Sequence, residues 1–316
     1  MINTSSVSEK IEQLKKKYES SGQDILAYLE GLLHTDYLNY WDYINLDTLL
    51  TLQKPLTTIP DEKIFILYHQ ITELYFQLVL HEMEQLKKMT EISEKLFLEK
   101  IRRMNRYFEQ LIGSFDIMVD GMSLEQFREF RMALLPASGF QSVQYRLIEI
   151  HATELKNLID QEHRNTLSST SLEEMYEHIY WKRGATELAT GKKTLTLTRF
   201  EEKYNTLLLQ TTQHCQTKNL WYLFKNIKTN ELKDQLITAL KQFDKVVNVK
   251  WPTMHLKSAV RYLQKNPDTI AATGGTNWQK YLPPRYQKRI FYPDLWTDAE
   301  KENWGKMEAE EMLSNS

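Results

Sequence analysis

Apolar side chains recur every three or four residues along almost the whole chain, and this spacing constrains the fold more than any other feature of the sequence. The longest stretch runs from Pro60 to Leu86, and Asp61 and Glu62 at its start carry the negative charges that favour a helix N-terminus. Because its apolar residues cover most of a helix circumference, we expect this helix in the middle of the fold. Ten glycines and eight prolines in 316 residues are too few for the many turns of an all-β protein. The sequence therefore predicts an all-α fold.

Helical periodicity accounts for most of the remaining chain. Further helices are predicted at about residues 7–33 (with a break at 20–22), 46–52, 94–119, 124–135, 141–159, 168–180, 200–209, 219–226, 230–245 and 251–263. Ser123 and Gln126 have the spacing of a capping box at the start of one of them. Thr194 to Thr198 alternates like a strand, although five residues do not decide between a strand and a helix. The last fifty residues are typical of an ordered, aromatic-rich loop region. Since neither a repeat nor a shift in composition marks a boundary, we expect one domain over residues 1–316.

The charge balance and the single cysteine exclude several classes of protein. Forty Lys and Arg residues oppose 42 Asp and Glu residues, so the basic excess typical of a nucleic-acid-binding protein is missing. Cys215 is the only cysteine, which excludes an internal disulfide and a zinc site built on several cysteines. The N-terminus lacks the pattern of a secretory signal, and no apolar run approaches the length of a membrane span. We expect a soluble, cytoplasmic protein that binds neither nucleic acid nor a membrane.

Two polar side chains lie in line with apolar residues on predicted helices. His69 follows Phe65 by four residues, so both share one face of the long helix. A lone histidine of this kind is more often a hydrogen-bonded core residue than a functional one. Arg131 lies between Phe127 and Leu134 in an i, i+4, i+7 stripe. An arginine there either extends to solvent, the commoner case, or receives an anion, since its planar fork matches a carboxylate.

Two loops and a third side chain complete the set of candidates. The junction at Ser138 and Gly139 has small residues that let a ligand approach the backbone, although an ordinary interhelical turn has the same composition. The run Thr273-Gly274-Gly275 offers N–H and hydroxyl groups that can hold an anion, or it is simply a loop. His255 has no cysteine or carboxylate nearby, which makes it a poor zinc ligand but an adequate axial ligand for haem iron.

In both their residues and their order along the chain, these candidates resemble the haem-dependent tryptophan 2,3-dioxygenases. The resemblance covers roughly residues 38–282, and its most specific part is the run Ser-Gly-Phe-Gln-Ser-Val-Gln-Tyr-Arg from Ser138 to Arg146. The other matching stretches are residues 65–74, Phe130-Arg131, His255 with Val260-Arg261, and Thr273-Gly274-Gly275. The last of these continues Thr276-Asn277-Trp278, where the family usually has Ser-Ser-Gly.

The resemblance implies a helical core that encloses one haem b per subunit. In it, His255 resembles the axial ligand of the haem iron, and Ser138 resembles a group beside the haem edge. His69 resembles the distal catalytic histidine, which accepts the indole N–H of the substrate. Arg131 resembles the receptor of the substrate carboxylate, with Thr273 as a further partner of the substrate. The positions that resemble walls of the indole pocket are Phe65, Phe127 and Leu134.

The same resemblance implies a reaction and an assembly. The reaction is the insertion of O₂ across the indole C2–C3 bond of L-tryptophan to give N-formyl-L-kynurenine, the first step of tryptophan catabolism by the kynurenine pathway. Tyr40, Tyr43 and Ile44 resemble the segment that reaches into a neighbouring subunit's substrate site in a homotetramer. Two alternatives stay open: a related haem-dependent oxygenase that acts on a substituted indole or another aromatic amino acid, and a non-catalytic helical scaffold without haem.

Overall fold

The structure is a computed structural model that describes residues 4–134, 139–167, 170–186, 192–228, 231–263 and 283–306, apart from the side chains of residues 260 and 263. In these ranges the chain forms helices joined by turns, with two isolated β-bridges and no strand, which confirms the all-α prediction. The α-helices are α1 (Thr4–Ser20), α2 (Ile25–Leu33), α3 (Tyr40–Tyr43), α4 (Leu46–Leu49), α5 (Asp61–Lys88), α6 (Glu94–Ser114), α7 (Asp116–Asp120), α8 (Leu124–Phe130), α9 (Val143–Ala152), α10 (Leu172–Glu177), α11 (Tyr180–Gly184), α12 (Leu195–Cys215), α13 (Leu220–Asn226), α14 (Lys233–Lys245), α15 (Trp251–Leu263), α16 (Pro284–Gln287) and α17 (Asp298–Glu302). The tighter or wider turns are the 3₁₀ segments Arg131–Leu134, Gly139–Gln141, Leu155–Leu158 and Pro293–Leu295 and the π segment Val246–Lys250. Among the described helices, each falls short of the length or the hydropathy that crossing a membrane requires.

By its internal contacts the chain divides into two units, Met1–Lys54 and Pro55–Ser316, and the prediction of one domain stays a prediction. In the first unit, α1 packs against α2 and α3 against α4. None of these four helices contains a buried residue. Leu33, Tyr37 and Tyr43 are exposed by 84%, 92% and 75%. Over residues 4–54 the first unit thus has helices with apolar side chains but no buried core.

The second unit is built around α5, which contacts α6, α7, α8 and α9. The buried apolar residues of α5 are Tyr68, Phe76, Val79, Leu80, Met83 and Leu86. A buried carboxylate on the same helix, Glu82, pairs with Lys100 at 2.7 Å and with Arg103 at 2.6 Å, both from α6. The long helix that the sequence places in the middle of the fold therefore lies there, and Glu82, one of its two buried carboxylates, has two cationic partners.

Several helix boundaries differ from the predictions. The helix predicted at 94–119 is interrupted at Phe115, whose ring packs against Trp251. The ambiguous segment at Thr194 is the start of α12, because the hydroxyl of Thr194 accepts the N–H of Leu197 at 3.2 Å as an N-cap. The helix predicted at 141–159 ends at Ala152, after which the chain is extended and then forms a 3₁₀ turn.

One buried carboxylate fastens the C-terminal segment to the helices. Asp244 on α14 is fully buried, and its oxygens accept the N–H groups of Phe291 at 2.9 Å and Tyr292 at 3.1 Å. The indole N–H of Trp296 and the amide of Asn248 donate to it at 3.0 and 2.8 Å. Burial raises the pKa of Asp244 to about 6, although these hydrogen bonds act against the rise. The loop region that the sequence predicts is therefore held in place by a group from another helix.

We expect Asp244→Asn to lower the free energy of unfolding by about 2–4 kcal/mol, because the new NH₂ group faces N–H donors and leaves them without an acceptor. Urea unfolding at pH 7 measures the change. Asp298→Asn is the control, since Asp298 has a side chain that is 98% exposed and should change the same quantity by less than about 0.5 kcal/mol. Equal effects of the two substitutions would contradict the anchoring role of Asp244.

Candidate active site

α5 places Phe65 and His69 one turn apart, with ring centroids 4.0 Å apart. Nδ1 of His69 lies 2.7 Å from the carbonyl oxygen of Phe65. A carbonyl oxygen only accepts hydrogen bonds, so Nδ1 carries the proton and Nε2 keeps a lone pair. The spacing of four residues therefore fixes the tautomer of His69 as well as the face on which it lies.

The start of α5 is fastened to α8, the helix that leads to Arg131. Ser123 caps α8, and its hydroxyl accepts the N–H of Gln126 at 3.4 Å. In a capping box the Gln126 side chain would bond back to the N–H of Ser123. Here it accepts the N–H of Asp61 at 3.1 Å instead, and the Asp61 carboxylate accepts the N–H of Ser123 at 2.6 Å. The predicted capping box is thus replaced by a reciprocal pair of hydrogen bonds between two helix N-termini.

Four rings from α5, α8 and α15 form an aromatic wall, which we define as Phe65, Phe127, Phe130 and Tyr262. The centroids of Phe65 and Phe127 are 6.2 Å apart, and those of Phe127 and Tyr262 are 4.5 Å apart. Phe130 meets Phe65 and Phe127 edge to face at 5.8 and 5.4 Å. Leu134, in the 3₁₀ turn after α8, is partly buried against the same core. Such a wall suits a flat apolar ring.

His255 lies on α15 in the same kind of local arrangement as His69. Its Nδ1 is 3.1 Å from the carbonyl oxygen of Trp251, one turn earlier, so its Nε2 also keeps a lone pair. The imidazole contacts the rings of Trp251 and Phe115 at centroid distances of 4.4 and 4.7 Å, and these two rings also contact each other at 5.1 Å. These two rings limit the orientations that the imidazole can take.

Both imidazoles are neutral at pH 7. Burial lowers the pKa of His255 to about 4, and the positive charge of a protonated His69 acts in the same direction. Burial also lowers the pKa of His69, against the opposite effects of its bond to Phe65 and of the nearby Glu73. Only a neutral imidazole binds a metal or accepts a hydrogen bond, and both rings are in that form.

Arg131 begins the 3₁₀ turn that follows α8, and its Nε atom is buried with no hydrogen-bond partner in the part of the chain that the structure describes. Burial lowers the pKa of its guanidinium, and the neighbouring positive charge of Arg128 lowers it further. A buried donor without an acceptor costs free energy, so it is expected where a ligand supplies the acceptor. Of the two interpretations that the sequence leaves open for Arg131, this arrangement favours an anion receptor.

Six of the predicted site residues lie on α5, α8 with its following turn, and α15: Phe65, His69, Phe127, Arg131, Leu134 and His255. Ser138 and Thr273 lie outside the described residues. Tyr40, Tyr43 and Ile44 lie in the first unit, where they are exposed by 71%, 75% and 36%.

Sequence reasoning did not assign to the site several rings that contact the predicted residues, among them Tyr262, Phe130 and Phe115. Tyr262 follows His255 by seven residues, so helical spacing already indicates a shared face. Its hydroxyl donates to the carbonyl oxygen of Val119 at 3.2 Å and so joins α15 to the end of α7. Phe130 follows Phe127 by three residues, so helical spacing places these two rings on one face as well. Phe115 has no such spacing, because it reaches His255 only through the packing of separate helices.

Comparison with known proteins identifies relatives along most of the chain. The sequence profile of the family described as tryptophan 2,3-dioxygenase matches residues 32–199. A tryptophan 2,3-dioxygenase from Bacillus thuringiensis subsp. konkukian is 27% identical over 85% of this chain and 95% of its own length. Proteins of the same name from Bradyrhizobium diazoefficiens and a Ruegeria species are 28% and 29% identical, over 82% and 83% of this chain and 91% and 92% of their own lengths.

We expect Arg131→Met to raise the free energy of unfolding of the ligand-free protein by about 0.5–1.5 kcal/mol, because methionine fills a similar volume and removes a buried donor without a partner. Urea unfolding without ligand measures the change. Arg199→Met is the matched control, since its side chain is 68% exposed and pairs with Glu202 at the surface. A fall of more than about 1 kcal/mol for Arg131→Met alone would show that the guanidinium already has a stabilising partner.

Proposed function

The chain belongs to the tryptophan 2,3-dioxygenase family, and from this premise we propose that it is the haem-dependent enzyme that inserts O₂ across the indole C2–C3 bond of L-tryptophan to give N-formyl-L-kynurenine. The observation that carries the proposal is the buried Nε of Arg131, which has no hydrogen-bond partner among the described residues and directly follows the helix that supplies Phe127 and Phe130 to the aromatic wall beside His69. L-Tryptophan offers the matching groups: a carboxylate for the guanidinium, a flat apolar ring for the wall, and one ring N–H for an acceptor.

We assign one haem b per subunit to Nε2 of His255. The residue fits this role because its imidazole is neutral and its Nδ1–H is bonded to the Trp251 carbonyl, which leaves Nε2 as the ligating atom and raises its basicity. Phe115 and Trp251 hold the plane of the ring. When bound, haem supplies the redox-active iron on which the chemistry of O₂ depends. The resemblance adds Ser138 at the haem edge as part of the same proposal.

Arg131 and the aromatic wall position the substrate. The guanidinium forms charge-assisted hydrogen bonds to the substrate carboxylate, which satisfy the buried Nε. Phe65 and Phe127 then enclose the indole ring, whose apolar faces leave water on binding. Fixing both ends of the substrate holds the C2–C3 bond in one place, which is the contribution of orientation to the rate. Thr273 joins this set on the strength of the resemblance.

His69 accepts the indole N–H at Nε2. The bond from Nδ1 to the Phe65 carbonyl keeps the proton away from Nε2, and burial keeps the ring neutral. A protonated His69 would present a second N–H to the indole N–H, and two donors repel each other. His69 therefore selects the rotation of the indole ring against the wall. The rate of the reaction should fall at a pH low enough to protonate this imidazole.

We further propose that the first unit completes the site in a homotetramer. Its helices bury no residue within the chain, and Tyr40 and Tyr43 are exposed by 71% and 75%. Ile71, Leu74 and Leu78 on α5 are also more than a third exposed. Exposed apolar side chains in this number are typical of surfaces that a partner covers. By the resemblance, Tyr40, Tyr43 and Ile44 enter the neighbouring subunit's substrate site.

Turnover tests the function. Purified, haem-replete protein is reduced and mixed with L-tryptophan and O₂, and the absorbance of N-formylkynurenine is followed. Arg131→Ala should raise KM for tryptophan by about tenfold or more with a smaller change in kcat, because it removes the carboxylate contact. Product from a substituted indole but none from L-tryptophan would favour the related oxygenase. A preparation that takes up no haem would contradict both hypotheses of a haem-dependent enzyme. The non-catalytic helical scaffold would then be the remaining hypothesis.

His255→Gly should abolish haem retention, because the variant lacks the axial imidazole. The haem content per chain, measured after gel filtration, checks this, with His81→Ala on the exposed face of α5 as the control. Free imidazole added to His255→Gly should restore the haem spectrum, which it does not do for a misfolded chain. Normal haem retention without imidazole would refute the assignment of His255.

The assembly has its own test. Tyr43→Ala should lower kcat/KM per haem in the intact oligomer or dissociate it, because Tyr43 is proposed to contact the partner's substrate. Sedimentation velocity and activity are measured on the same samples, and Leu195→Ala, which removes a side chain 58% exposed in the second unit, is the control. A monomeric wild-type protein with full activity would contradict the shared site.

A further inference from the structure

A group of side chains with potential metal-ligating atoms lies in the middle of the chain, outside the residues of the proposed active site. Asp160, His163 and His178 each bring a ligand atom within 4.8 Å of the other two. The backbone fixes this meeting. The N–H of Asp160 donates to the carbonyl oxygen of His178 at 3.0 Å, and Ile159 and Ile179 form an isolated antiparallel bridge.

The carboxylate of Asp160 is held in one orientation. It is buried, with a side chain 6% exposed. Its Oδ1 accepts the N–H groups of Glu162 at 3.1 Å and His163 at 3.2 Å. Nδ1 of His163 lies 2.9 Å from Oδ1 and 3.0 Å from Oδ2, and Nδ1 of His178 lies 4.0 Å from Oδ2. Oδ1 is thus fastened to the backbone, and Oδ2 is the oxygen that lies near both imidazoles.

His178 presents a nitrogen that the protein leaves without a hydrogen bond. Its Nδ1 is buried and has no hydrogen-bond partner among the described residues. The rings of His178 and His163 are 4.5 Å apart and tilted by 44°. Each side chain is 32% exposed, so a small ion can reach the group from solvent. A buried imidazole nitrogen without a partner is expected where a ligand supplies one.

We propose that Asp160, His163 and His178 bind a zinc ion, through Oδ2 of the carboxylate and Nδ1 of each imidazole, with water as a further ligand. Zinc takes imidazole and carboxylate ligands at about 2.0–2.2 Å, so tetrahedral ligands stand about 3.3 Å apart. The separations of 3.0 and 4.0 Å around Oδ2 bracket that value. A small rotation of the His178 side chain would bring its Nδ1 from 4.0 Å to this distance from Oδ2.

The positive charges around the group decide how tightly it binds a cation. The guanidinium of Arg183 lies 4.0 Å from Oδ2, too far for a hydrogen bond, and its side chain is 46% exposed. Arg164 donates its N–H groups to the carbonyl oxygens of Ile159, Gln287 and Lys288. Arg183 therefore opposes the cation and is free to turn toward solvent, whereas Arg164 is fixed. Removing the charge of Arg183 should tighten binding.

The ion would add a further link between two segments that the backbone already brings together. It would join the turn at Asp160 to the end of α10, where His178 lies. Through Arg164 the same turn contacts the backbone of Gln287 and Lys288 near the C-terminus. Because metal binding favours the folded chain, zinc should raise the thermal stability of the protein independently of haem.

The test uses the full-length protein with its haem and with any affinity tag removed. Samples treated with a chelator are dialysed against Zn²⁺ and then against metal-free buffer, and zinc and iron per chain are measured by mass spectrometry of the metals. We expect one zinc per chain in the wild type and a rise in Tm on adding Zn²⁺ to chelator-treated protein. Asp160→Asn, which keeps Oδ1 for the backbone but removes the charge, should lose both effects at unchanged iron content.

Further variants separate a zinc site from an ordinary ion pair. His178→Ala should lose the zinc, whereas His214→Ala, which removes an exposed histidine of α12, should keep it. Arg183→Gln should bind Zn²⁺ several-fold more tightly in a competition with a chelator of known affinity. Wild-type protein that retains no more zinc than Asp160→Asn, or shows no rise in Tm, would overturn the proposal, as would equal zinc loss in His214→Ala.

Discussion

Both histidines of the proposed active site depend on one interaction, the hydrogen bond from Nδ1 to the backbone carbonyl four residues earlier in the same helix. The bond measures 2.7 Å for His69 and 3.1 Å for His255. It costs little, because a helical carbonyl oxygen has a second lone pair beside the one that its own helix uses. It makes Nε2 the basic atom of each ring. Burial then keeps the rings neutral, so one can accept an indole N–H and the other can ligate iron.

The buried charged groups of the fold differ from Arg131, the group that we propose to be functional, in the partners that they have. Glu149 is fully buried, and Arg146 and Arg289 each donate to it at 2.7 Å. Within the described ranges Asp244 has no cationic partner, but it accepts four hydrogen bonds. Arg131 differs, because its buried Nε has no acceptor among the described residues. This difference is why we propose that Arg131 binds a ligand.

The sequence predicts a helix well where its bounds depend on an apolar repeat or on capping residues within a few positions. The extent of α5 follows from its apolar repeat, and its start follows from Asp61. The spacing of Ser123 and Gln126 correctly marks the start of α8, but the partner of the Gln126 side chain is Asp61, a residue 65 positions away. At Thr194 the local pattern is ambiguous, because alternating Thr and Leu residues are also compatible with a strand. The structure resolves this, since the Thr194 hydroxyl caps α12.

The sequence by itself determined that the protein is all-α, that His69 shares a face with Phe65, and that the chain matches one family in the order of its motifs. These properties rest on the helical period and on hydrogen bonds that span four residues, so they can be read from neighbouring positions. Only the tertiary structure decided that the Nε of Arg131 is buried with no partner in the described part of the chain and that burial lowers the pKa of His255. It alone brought Asp160 to His178. Desolvation and contacts between separate segments depend on which surfaces pack together, and no local spacing encodes that.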